Sequence, residues 1–268
     1  MITCRTCAVE YDEPVPDVCP ICADERQYVP ETGQAWASLD DLRDEGATIT
    51  VRQRTPILWG LRAPGVGIGQ QMLLLRTPQG NLLWDPVGYL DDETVTWIRE
   101  QGPVLAIAAS HPHMFGVQVE WSRALGGAPI LVNEADAHWL GRRDGAITLW
   151  SDQYDVTAGL TLHQVGGHFP GSAVAHWSGD DGGGVLLAGD TIMVNPDRVT
   201  TSFQRSYPNR LPLSGAVVAR IAERIKPLRF EQIWSNFDNA ITAEADLAVQ
   251  RSAERHVAWV RGDFDHLT

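Results

Sequence analysis

Strand-like runs appear over residues 48–52, 71–76 and 81–84, the first alternating apolar and polar positions and the other two carrying short apolar stretches. The turn Thr77-Pro-Gln-Gly80 joins the last two and predicts a hairpin that ends in Asp85-Pro-Val-Gly88. Before them, a short helix is expected over 38–44, with Ser38 as its cap and Asp41 three residues on. A second helix is expected over 91–101, capped by Asp91 or Asp92 and carrying Val95 and Ile98 on one side. The continuous apolar run Val104-Leu-Ala-Ile-Ala-Ala109 then reads as a buried strand. Helix, strand and helix follow at 117–125, 129–133 and 134–141, and strands resume at 147–150, 160–165, 173–178 and 184–188. Two later helices, 214–226 and 242–260, bracket the apolar segment Phe230-Glu-Gln-Ile-Trp234. Strands cluster early and helices separate the later ones, which predicts layered sheets covered by helices.

The length of 268 residues accommodates one large core, or one ordinary domain with a small appendage, and 44% hydrophobic content fits a folded globule. A net charge of −13 disfavours nucleic acid as a partner, since phosphate binding needs clustered Lys and Arg. No apolar run approaches the roughly 20 residues of a membrane span. The chain opens on a polar, cysteine-bearing segment, not a basic stretch followed by an apolar one. A cytoplasmic protein with no membrane partner is expected, and no heptad or apolar face betrays an oligomeric state.

All four cysteines fall in the first 22 residues, as the pairs Cys4/Cys7 and Cys19/Cys22. Each CxxC turn places two sulfurs on one side of a knuckle, and in a reducing compartment two such turns usually surround one metal ion. The alternatives are two disulfides or a redox-active CxxC. The expected organisation is a four-cysteine unit over 1–30, too small to fold without its metal, followed by a main domain over 31–268.

The strand at 104–109 runs into Ser110-His111-Pro-His113-Met-Phe-Gly116, and alternate histidines on a turning segment can present two imidazoles to one metal. Two more motifs end strand-like runs in the same way: Gly166-Gly-His168-Phe-Pro-Gly-Ser172 and Val185-Leu-Leu-Ala-Gly-Asp190-Thr191. If those strands lie side by side, His111, His113, His168 and Asp190 converge into a donor set suited to zinc or iron.

These motifs, in this order over roughly residues 48–240, resemble the metallo-β-lactamase superfamily. Asn81-Leu-Leu-Trp-Asp85-Pro-Val-Gly88 is similar to the family's strand and turn whose aspartate supports the metal ligands, which casts Asp85 in that role. Ser110-His111-Pro-His113 resembles the opening of the HxHxDH signature, Gly167-His168-Phe-Pro-Gly-Ser172 the third-histidine loop, and Gly189-Asp190-Thr191 the bridging aspartate. The resemblance implies an α+β fold, a four-layer αββα sandwich with metals at one edge of its sheets, here preceded by the small cysteine knuckle. The pairs Cys4-Arg-Thr-Cys7 and Cys19-Pro-Ile-Cys22 also resemble zinc ribbons and the rubredoxin-like module of rubrerythrins. Spacing alone leaves zinc and iron open there, but Ala8 and Ala23 stand where rubredoxin knuckles usually carry Gly, which favours zinc.

Departures from the family pattern narrow the chemistry. Phe115 and Gly116 replace the Asp and His that complete HxHxDH, and Ser235-Asn236-Phe237-Asp238 stands where a last histidine is expected. The first metal position keeps His111, His113 and His168; the second keeps only Asp190, with Asn236 or Asp238 as weak substitutes. One zinc on three imidazoles can lower the pKa of water to roughly 7, with Asp190 orienting that water or accepting its proton. A single ion cannot clamp attacking and leaving oxygens together, so ester, thioester or lactone hydrolysis gains over phosphodiester cleavage. The leading expectation is a metal-dependent hydrolase of a small-molecule substrate, with one zinc in the main domain and one in the cysteine unit.

Two other readings carry separate expectations. An iron-loaded cysteine unit would make a redox protein, iron being possible in either site; a decayed site would leave a binding module of the same fold. His138, His163, His176, His256 and His266 are expected in surface or core roles, and Met114 and Phe115 as core residues filling the place of a second metal. Trp121, Trp139, Trp150 and Trp177 could wall an apolar pocket, though a core role suits them better.

Overall fold

The computed structural model describes residues 1–179 and 183–268. Two compact units divide the chain, 1–150 and 151–268.

The first unit is built on a seven-stranded sheet in the spatial order Ile147–Trp150, Ile130–Asn133, Val104–Ala108, Gly80–Trp84, Gln71–Thr77, Leu58–Arg62, Thr50–Thr55. The first four of these run parallel and the remaining pairs are antiparallel. Parallel strands need crossovers, and the helices Asp92–Glu100 and Gln118–Ala124 supply two of them. Asp91 caps the former through its carboxylate, which accepts the Thr94 N–H at 2.8 Å. The hairpin through Thr77 and Gly80 pairs as expected, with Arg76 opposite Asn81. The helix Leu39–Asp44 opens on the expected capping box, in which Ser38 and Asp41 each accept the other's backbone N–H.

A three-stranded antiparallel sheet, Glu10–Tyr11, Ile2–Cys4 and Trp36–Ala37, holds the cysteine segment within this unit. Its buried Cys4, Cys7, Val9, Cys19 and Ile21 join the same apolar core as Leu74, Leu83, Ile107, Phe115 and Trp121. Phe115 and Met114 are therefore core residues, and Trp121, fully buried with its indole N–H donated to the Val87 carbonyl at 3.1 Å, is too.

The second unit carries a six-stranded sheet ordered Gln153–Thr157, Leu160–Gln164, Ala173–Trp177, Val185–Leu187, Gln232–Trp234, Ala240–Ile241. All neighbours are antiparallel except Val185–Leu187 with Gln232–Trp234. The helices Gly215–Ile225 and Ala245–Arg261 bury Val218, Ile221, Val249 and Ala253 in a second core with Leu186, Phe230 and Ile233. In each unit one sheet carries helices, the αβ half of the expected sandwich.

Three local expectations are corrected. Segment 134–141 forms the 3₁₀ helix Glu134–Trp139, where Asn133 accepts the Ala135 N–H through its side chain and tightens the turn. The strands Leu58–Arg62 and Gln153–Thr157 were not anticipated: the first contains Gly60, and the second is a polar edge strand that, among the described residues, pairs only with Leu160–Gln164. Among the described residues, no helix is long and apolar enough to cross a membrane.

Candidate metal centres

The four cysteine sulfurs all lie within 4.8 Å of one another, with Cys4–Cys22 and Cys7–Cys19 each at 3.7 Å. No disulfide joins them. A tetrahedron with metal–sulfur bonds of about 2.3 Å has edges of about 3.8 Å, so the spacing fits four thiolates on one ion. Tyr11 Oη lies 3.2 Å from Cys19 Sγ and the Gln34 side-chain amide donates to Cys4 Sγ at 3.3 Å. These polar contacts suit sulfurs that carry charge. The first knuckle turns through Ala8 in the left-handed region, φ 61°, whereas Ala23 ends the short helix Pro20–Ala23. A glycine-like turn is thus made at one knuckle only, and there by alanine.

The histidine pair of the first unit sits where three parallel strands end. Because Trp84 pairs with Ala108 in the sheet, Asp85 and Ser110 emerge side by side, and the Asp85 N–H bonds the Ala108 carbonyl at 2.9 Å. Asp85, itself left-handed at φ 59° and fully buried, accepts the Ser110 N–H at 2.6 Å and the Ser110 hydroxyl at 3.1 Å. The Ser110 oxygen in turn lies 2.9 Å from His111 Nδ1. Since the single hydroxyl proton goes to the carboxylate, Nδ1 must carry the proton of this contact, which leaves the lone pair of His111 on Nε2. The 3₁₀ turn Pro112–Met114 then brings His113 round, its ring centroid 5.0 Å from that of His111. Both rings are almost wholly buried.

Gly116 shows why the signature stops here. Its φ is +52°, and a Cβ on it would overlap the Pro86 carbonyl oxygen and approach Val87 O at 3.0 Å. A histidine at this position has no room.

The second unit contributes another pair. His168 Nε2 lies 3.7 Å from the Asp190 carboxylate, and His168 Nδ1 bonds the Gln204 carbonyl at 3.0 Å, again fixing the proton on Nδ1. Asp190 opens the 3₁₀ turn that follows the strand Val185–Leu187. Asn236, after the neighbouring parallel strand, donates its amide N–H to Asp190 Oδ1 at 3.1 Å. Burial pushes the Asp190 carboxyl up to about 7, and the Asn236 hydrogen bond works against it. Asp238, half-buried, occupies a left-handed position in the following turn. Tyr207 donates its hydroxyl to the Asp190 backbone carbonyl at 3.0 Å; sequence reasoning missed it, as nothing local marks a tyrosine 17 residues away.

His138, His163, His176, His256 and His266 belong to no cluster that could hold a metal among the described residues. His176 and His256 hydrogen-bond the Arg229 and Leu213 carbonyls, which are structural roles.

This architecture is the metallo-β-lactamase fold, joined to an N-terminal four-cysteine cluster. The DIM-1 metallo-β-lactamase matches over 78% of this chain and 99% of its own with a TM-score of 0.58, at 14% identity. The mono-zinc form of FIM-1 from Pseudomonas aeruginosa matches over 78% of this chain and 96% of its own, TM-score 0.55, at 17% identity. No protein-family model matches the sequence. Within the fold class, the sequence is 40% identical over 269 residues to the uncharacterized protein YmaE of Bacillus subtilis (strain 168), spanning 98% of each, and the chain belongs to that protein's family.

Proposed function

We propose that the chain is a metal-dependent hydrolase in which His111, His113 and His168 hold one zinc ion and Asp190 attends the reacting water. The observation that carries this reading is the fixed tautomer of two histidines: His111 through Ser110 and Asp85, and His168 through the Gln204 carbonyl, each keeping Nε2 for a ligand. His176 and His256 also hold a ring proton on a backbone carbonyl, but neither stands in a group of donor residues as His111 and His168 do.

Zinc in that donor set supplies Lewis acidity, polarising a carbonyl and lowering the pKa of a water to about 7. Asp190, held by Asn236 and by the Tyr207 contact to its backbone, is placed to orient the water and accept its proton. The close backbone packing at Gly116 and the buried Phe115, at two positions of the second-metal ligands, support the reading of a mononuclear site. FIM-1, of the same fold, has itself been solved in a mono-zinc form. One ion suits carbonyl substrates, so a small ester, thioester or lactone is the substrate class. The cysteine unit holds a second, structural zinc.

The test combines metal analysis of the full chain with a panel of nitrophenyl esters, acyl thioesters and lactones. Two zinc ions per chain and turnover of one of these classes, abolished by His113→Ala, are expected. A protein that holds metal in the cysteines alone refutes the proposal.

A further inference from the structure

The cysteine unit grips both loops that hold the histidine pair. On one side, Ala8 follows Cys7 directly and its methyl lies against Gly88, where a Cβ would overlap it; Gly88 lies in the same loop as Asp85. On the other side, the Glu10 N–H donates to the Gly116 carbonyl at 3.0 Å, just beyond His113. The Glu10 side chain, nearly fully buried, accepts the Val119 N–H at 2.6 Å in the first turn of Gln118–Ala124. Its other oxygen pairs with Arg142 at 3.0 Å, and Arg142 also bonds Glu120 at 2.6 Å.

We propose that the four-cysteine unit is a brace for the histidine pair, with Glu10 the positioning residue that carries its fold into the turn after His113. The proposal rests on the reading of His111 and His113 as ligands given above. A segment of this size has too little core of its own, so its order comes from its ion together with the apolar core it shares with the seven-stranded sheet. Once ordered, it presents Ala8 and Glu10 at fixed places on two strand-end loops. Without the Glu10 side chain, the Val119 N–H and the Arg142 guanidinium lose a buried partner, and the backbone from Gly116 to Val119 keeps the Glu10 N–H bond to Gly116 but loses its second tether. Ligand geometry tolerates little of this, because supports of metal-bound histidines are worth about 10–100-fold in metal affinity. Metal in the cysteines thereby favours metal in the histidines, with no contact between the two ions.

The experiment compares full-length wild type, Glu10→Ala, Glu10→Gln and the control Arg5→Ala, which breaks only the exposed pair with Glu45. Zinc competition with a chromogenic chelator reads each site, and hydrogen exchange reads the amides of 110–119. In Glu10→Ala, cysteine-site zinc is retained, histidine-site affinity falls at least about tenfold and the amides of Met114, Gln118 and Val119 exchange at least about tenfold faster. Glu10→Gln, which keeps an acceptor for Val119, restores most of both, and Arg5→Ala changes neither. Histidine-site affinity within twofold of wild type, or unchanged exchange, overturns the brace. A wild type with zinc only in its cysteines overturns the underlying reading of the site, and the exchange measurement then decides the brace by itself.

Discussion

Asp85 takes both protons that Ser110 can offer, the backbone N–H at 2.6 Å and the hydroxyl at 3.1 Å, and by doing so dictates that Nδ1 of the next residue carries the ring proton. The relay predicts that Ser110→Ala leaves the His111 ring free to rotate and to change tautomer. Zinc affinity at the histidine site falls about 10–100-fold in that variant, with the cysteine site unaffected. Asp85→Asn acts more strongly, because Ser110 uses both carboxylate oxygens and the amide turns one of them into an NH₂ donor that faces a donor. Competition titration of the two variants against a chelator checks both; equal affinities in variants and wild type would remove the relay from the site.

The position after Phe115 invites an obvious repair, Gly116→His, to rebuild the longer signature. It is expected to fail. The left-handed backbone costs any side chain about 1 kcal/mol or more, and the overlap with Pro86 O forces the loop to shift, so the loss exceeds about 2 kcal/mol. Metal content does not rise. Urea unfolding and metal analysis of the variant are the checks, and a stable Gly116→His protein with an added equivalent of zinc would contradict the account of the loop.

Most strands and helices were legible because each is bounded by its own punctuation: Asp91 before a helix, Thr77 to Gly80 in a hairpin, a histidine or aspartate after an apolar run. The donor residues were legible for the same reason, as chemistry sits where strands end. What stayed hidden is long-range. Glu10, Arg142 and Tyr207 look like surface residues by type, and their burial is decided by partners 132 residues away for the first two and 17 for the third. Asn236 illustrates the middle case. Its place after a strand marks it in the sequence as a possible weak ligand, and the structure adds that its amide N–H supports the Asp190 carboxylate.

Substituting Cys4→Ser together with Cys7→Ser removes half of the sulfur set, two of whose edges measure 3.7 Å. Two neutral hydroxyls do not replace two thiolates, so one metal equivalent is lost. The cysteine segment shares its core with the seven-stranded sheet, and its release exposes Val9 and Ile21 to water. Unfolding stability therefore drops by at least about 2 kcal/mol. Metal analysis and urea unfolding report the two losses, and the spectrum of the wild type distinguishes a colourless zinc protein from a red, iron-bearing one whose colour bleaches on reduction. Colour of that kind would move the reading towards electron transfer.

His163 gives a pH dependence with a definite sign. Burial, the neighbouring His176 and the Arg224 cation hold its pKa down at about 4, below the usual 6.5. The folded state therefore binds fewer protons than the unfolded chain between those two values, and the stability associated with neutral His163 is complete above about pH 6.5 and is lost as pH falls towards 4. The full difference is on the order of 3 kcal/mol. His163→Gln has no proton to gain, so its unfolding free energy declines less steeply over the same range. Subtracting the variant's urea-unfolding curve at pH 4.5 and pH 7 from the wild type's cancels the contribution of both metal sites. The remaining difference belongs to His163, and parallel curves for the two proteins would show that its ring is not held neutral by the fold.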